Sequence, residues 1–279
     1  MTITLMRSAR AKGWVVLAGL LILGVAILWG LVIFVWSELA GTGPDSRASS
    51  RTPVTPNIIA SAPPSTSTSA SAEVALKAAK DALAAKPMLQ IAPADALPQP
   101  IATLTAGTPV TLPKATDTTG LIPTGYPRTP AGAVAQLAAI DALALKDLNP
   151  SNPRAAYDWA AMPGAVPFAQ WTPQVGASAI LTAAGAPHGS TQLTSTWTLT
   201  HAQIKGVLDD GNFVVACVLG EFDANYRSTV RAGVGDCQRM VWHGGRWWIG
   251  PGAQPAFAPS TWPGSASCVR AGWQEARNA

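Results

Sequence analysis

Residues 14–36, WVVLAGLLILGVAILWGLVIFVW, are an unbroken run of 23 residues without a charge. A helix of that length is about 34 Å long, enough to cross a hydrocarbon core of roughly 30 Å with slight tilt. Trp14 and Trp36 stand at its two ends, where amphipathic rings favour the headgroup level. The leader, residues 1–13, carries Arg7, Arg10 and Lys12 and no acid, whereas the following flank opens with Glu38 and Asp45. Positive charge on the short side places the N-terminus in the cytoplasm and everything from about Ser37 onward outside. The expectation is a single-pass cell-membrane protein with the lipid bilayer as its first partner. A cleaved signal peptide would need a shorter apolar stretch and a small-x-small site. The nearest such site, after Ala40, has Glu38 where a small residue is required. Both readings export the rest of the chain. Within the span, Ala26 and Gly30 lie one turn apart and are candidate positions for close helix packing.

The exported part carries no concentrated basic face. Of the formal charge of +4, the leader supplies +3, so nucleic-acid binding is not expected. Residues 37–119 read as a linker. The stretch TPVTPNIIASAPPSTSTSASA, residues 52–72, cannot bury enough apolar surface to offset the entropy of ordering. Residues 73–86, EVALKAAKDALAAK, predict a short, marginal helix ended by Pro87. The prolines from Pro87 to Pro127 predict extended chain, either a tether through the envelope or a spacer of no specific use.

A folded domain is expected over residues 120–279. Thr129-Pro130 reads as N-cap and first helical residue, and Ala133, Leu137, Ile140, Ala144 and Leu148 recur at helical spacing. Further helices fit Arg154–Met162 and Pro173–Ala184. Beyond His188 the period changes to two: Leu193, Ser195, Trp197, Leu199 and His201 alternate with threonines. Phe213–Phe222 is apolar on both faces and predicts a central strand. Arg227–Trp242 predicts another, interrupted around Gly233 and Gly235. Gly244-Gly245 then turns the chain into Arg246–Ile249. Helices followed by an antiparallel meander make an α+β class, with the helices packed on a curved sheet.

The three cysteines, Cys217, Cys237 and Cys268, all lie in the exported domain, where disulfides persist. If the two long strands pair antiparallel, Cys217 and Cys237 face each other across the turn near residue 227. The alternative is a buried thiol, with a bulge at Gly233 or Gly235 shifting the register. His188, His201 and His243 fall in no metal-ligand spacing, and Asp209-Asp210 before Gly-Asn reads as a turn. Trp248, Trp262 and Trp273 are candidates for an aromatic interaction surface, set against the alternative that they dock on their own domain.

GYPRTPAGAVAQLAAID resembles the first helix of extracytoplasmic domains of the nuclear-transport-factor-two-like superfamily, and CQRMVWHGGRWWIG resembles their closing hairpin. Anchor, Pro-rich linker and such a domain together resemble accessory membrane proteins of actinobacterial conjugation or secretion clusters, similar in plan to the bitopic assembly component of type IV secretion systems. The resemblance implies a cone-like fold and an assembly or scaffold role with membrane-protein partners. The anchor, the long tether and the absent catalytic set point to no enzyme and no cofactor, and the Ala26–Gly30 pair on a tethered chain points to a homo-oligomer. Enzymes of the superfamily line the cone with a His and an acid, and no such pair stands at a recognisable spacing here. A membrane-tethered binder or enzyme built on the same cone is the alternative.

Overall fold

A computed structural model describes residues 67–186 and 192–279. The leader, the apolar run with Ala26 and Gly30, the first part of the linker and His188 lie outside the described residues. Among the described residues no helix is long and apolar enough to cross a membrane.

The chain runs through α1 (Ser67–Ala85), β1 (Val110–Leu112), α2 (Pro130–Ala144), α3 (Ser151–Ala160) and α4 (Thr172–Ala184). It then forms β2 (Thr194–Leu208), β3 (Phe213–Tyr226), β4 (Ser228–His243), β5 (Arg246–Ile249), α5 (Ala266–Arg270) and β6 (Gln274–Asn278). The six strands make one sheet in the order β1-β6-β2-β3-β4-β5. Only β1 and β6 pair parallel; the other neighbours are antiparallel. The class is α+β, and the sheet curls strongly into a half-barrel. Two register shifts in β2, between Leu199 and His201 and between Ile204 and Gly206, accompany that curl, since an extra residue on one strand bends it.

One sheet face, the inner face, receives α2, α3 and α4. Thr129 caps α2 by accepting the N–H of Gly132, with Pro130 in the first turn, as its sequence dictates. The helix is buried beyond a single stripe. Gly132–Leu137 are all buried, as are Ile140, Asp141 and Ala144, because α3, the sheet and the strand β1 surround it. Trp197 of β2 crosses the inner face and donates through Nε1 to the carbonyl of Val234 on β4 at 3.1 Å. Gly220 of β3 lies beneath that ring, and a side chain there would collide with it.

The opposite, outer face carries Phe213, Val215, Cys217 and Leu219 of β3 together with Cys237 of β4, all buried. Two segments cover it. The tail after β5 brings Ala258, Cys268, Ala271 and Trp273 onto the cysteine side of this face. The C-terminal end of α1 brings Leu83 and Ala84 onto Phe213 and Val215. Residues 67–119 therefore depart from the expected linker. The helix expected over residues 73–86 is α1, which ends at Ala85 and packs on the sheet. The proline-rich stretch adds a strand, with Asp95, Ile101 and Ala102 bonded to the tail at Trp262, Ser265 and Gly264. A proline-rich stretch shows no periodicity, but a sheet apolar on both faces needs a second cover, and this stretch helps to supply it. β4 is also continuous, with no bulge at Gly233 or Gly235. Those glycines make room for the tail: Gly235 faces Ala258 and Trp273, and Gly233 faces Thr261.

Candidate functional site

The chemistry least expected from the sequence lies in the interior. Asp141, on α2, is 1% exposed, and Asp236, on β4, is 5% exposed. Gln238, two residues further along β4 and on the same face, donates through Nε2 to both oxygens of Asp236, at 3.1 and 2.8 Å. The neighbouring Cys237 backbone and Thr172 side chain also favour the ionised form of Asp236. Burial pushes Asp236 up to about 6, and these donors hold it back from rising further. Burial holds Asp141 well above the usual carboxylate range, and the charge of Asp236 adds to that. Asp141 Oδ1 and Gln238 Oε1 have no hydrogen-bond partner. Trp171, which precedes Thr172 at the start of α4, is fully buried with Nε1 also unpartnered. Asp141 was hidden by its setting in an alanine-rich helix. Its break in an otherwise apolar run was the one available signal.

The second grouping lies on the surface. The Arg246 guanidinium stands 3.8 Å from the ring centre of Trp159 and 3.4 Å from that of Trp248. Its Nη2 donates to the Trp159 carbonyl at 2.8 Å, and Trp248 Nε1 donates to the His243 carbonyl at 2.9 Å. Trp248 and Trp159 are both half-buried, so this Trp–Arg–Trp stack presents aromatic surface to solvent. Trp247 points the other way, is fully buried, and donates to Pro127 O, as alternation along β5 requires. Trp262 and Trp273 form no such surface. They are 8% and 1% exposed, because the tail folds back on its own domain. Trp273 donates to the carbonyl of Pro259, and Trp262 lies beside Arg231.

The cysteine pairing follows the strand register. Cys217 and Cys237 are direct partners in the β3–β4 ladder, with Cα atoms 4.1 Å apart and sulfurs at bonding distance. Cys268 is unpaired and buried in the same apolar cluster, where burial raises its thiol pKa. His201 pairs across β2–β6 with Glu275. Its buried Nδ1 has no hydrogen-bond partner, and burial lowers its pKa more than Glu275 raises it. His243 is exposed beside the hairpin turn. Asp209 and Asp210 are turn residues at positive φ, with Asp209 accepting from Lys80 at 2.7 Å. Among the described residues no group of three or more His, Cys, Asp or Glu could hold a metal ion. A shallow cleft of about 280 Å³ lies at the β3–β4 tip, lined by Tyr226, Arg227 and their neighbours. No family model, no curated protein and no solved structure matches the chain.

Proposed function

We propose that the chain is a membrane-anchored assembly or scaffold subunit of a cell-envelope machine, of the conjugation or secretion kind, and not an enzyme. Its N-terminus would lie in the cytoplasm and its domain, a cone-like member of the nuclear-transport-factor-two-like superfamily, outside. The observation that carries this reading is the filling of the inner face. Trp171, Trp247, Leu137, Ile140 and Met240 are all fully buried there, so large side chains fill the space between the helices and the sheet, where a substrate cavity would have to lie. What remains for partners is the outside of the domain, with the Trp159–Arg246–Trp248 stack as its most partner-like patch.

The test is complementation of a deletion. Wild type and Asp236→Asn should both restore transfer or secretion, and a chain lacking residues 14–36 should not. Failure of Asp236→Asn at normal membrane abundance would overturn the scaffold reading.

The second reading, a tethered small-molecule binder or enzyme, draws on the carboxyl pair. Two interior acids with shifted proton affinities are the kind of group such sites use. Binding or turnover of a small molecule by the full chain, lost in Asp236→Asn, would favour it.

A further inference from the structure

Hydrogen-bond accounting at the carboxyl pair leaves one proton to be placed. Asp236 accepts Gln238 Nε2 on both oxygens, and the neighbouring Cys237 backbone and Thr172 side chain act on it in the same sense. Each of these favours the carboxylate form. Asp141 has no comparable set, since its Oδ1 is buried without a partner. Gln238 spends its amide N–H groups on Asp236, and its Oε1 is a second buried acceptor without a donor. A carboxylate offers no hydrogen to such an interior, whereas a carboxylic acid offers one. The groups acting on the pair from α2, α4 and β4 are each other, Gln238, the Cys237 backbone and Thr172, with no lysine, arginine or histidine among them. Two bare anions with no cation to balance them are costly in a low-dielectric interior.

We infer that Asp141 is the neutral member, a carboxylic acid held in the dry layer between the helices and the sheet, and that Asp236 is the carboxylate, so that the domain tightens in acid and loosens as that proton is withdrawn. Donor supply agrees with this assignment: Gln238 donates to both oxygens of Asp236, whereas burial and its neighbour's charge raise Asp141, whose Oδ1 has no partner. The sign follows from linkage. The unfolded chain releases both protons near pH 4, and the fold retains one at neutrality. Stability is therefore full below about pH 4 and declines as pH rises toward the folded-state value of Asp141.

The experiment uses the full chain in detergent, with denaturant unfolding followed by tryptophan fluorescence between pH 6.5 and 7.5. One retained proton makes the folding constant fall about tenfold per pH unit. Asp141→Asn has nearly the same shape, supplies an N–H donor and cannot ionise. Its slope should be flatter than wild type by about that factor of ten per unit, and equal slopes overturn the inference. Should Asp141→Asn not fold, the infrared carbonyl band of a protonated carboxyl decides the matter in wild type at pH 7, where exposed acids are ionised. Its presence supports the assignment and its absence overturns it.

Discussion

Gly233 of β4 lies against the carbonyl oxygen of Thr261, so close that a β-carbon at 233 would fall well inside van der Waals contact with backbone that cannot swing aside. Gly233→Ala should therefore push the tail off the outer face, at a cost of about 1–3 kcal/mol in denaturant unfolding. Gly176→Ala, in the interior of α4 with open space around its α-carbon, is the control. It should stabilise by about 0.5–1 kcal/mol, because alanine is the better helix former.

Asp81 of α1 meets Arg239 of β4 at 2.7 Å, and the arginine side chain is only 6% exposed. Asp81→Ala leaves that guanidinium without its acceptor. A loss of about 1–2 kcal/mol is expected, since the aspartate itself is partly exposed. Hydrogen exchange should localise the effect, with faster exchange in α1 and little change in α2.

Lys205 of β2 donates to the carbonyl of Ala84, at the C-terminal end of α1, at 2.9 Å. Burial, helped by Lys86, lowers its pKa to about 8. The fold thus disfavours the charged form. The penalty is full below pH 8 and is relieved between about 8 and the unfolded value near 10.4, so this residue makes stability rise over that window. Lys205→Met should remove the rise, read as the difference between the two pH–stability curves.

Non-reducing peptide mapping should join Cys217 to Cys237 and find Cys268 labelled by thiol reagents only after unfolding. Reduction should lower stability by about 2–5 kcal/mol. A Cys268 link to either partner would contradict the β3–β4 register.

Much of the framework was legible because it rests on local chemistry. Thr129-Pro130 starts a helix, threonine alternation marks β2, Gly244-Gly245 turns a hairpin at positive φ, and Cys217 and Cys237 stand symmetrically about the β3–β4 turn. Tertiary reasons governed the rest. Gly233 and Gly235 looked like strand breakers because the tail that needs their bareness is more than 20 residues away. The run from Pro87 to Leu112 looked like spacer because its packing depends on single carbonyls and a three-residue strand, which leave no period. The carboxyl pair was invisible because Asp141 and Asp236 are separated by most of the domain and come within reach of each other's charge only when α2 lies on the sheet.

The attachment of α1 has a mechanical side. Its last turns are fixed to β2 through Lys205, to the β2–β3 turn through Asp209 and to β4 through Arg239. Leu83 also sits in a notch where a β-carbon on Gly206 would come within 2.6 Å of its Cδ1. Tension arriving from the N-terminal side is thus divided among the central strands before it reaches the short strand β1 at the sheet's margin. The short marginal seam, three residues of parallel pairing between β1 and β6, is shielded from the load, and the fold should bear a pull that would peel an edge strand away.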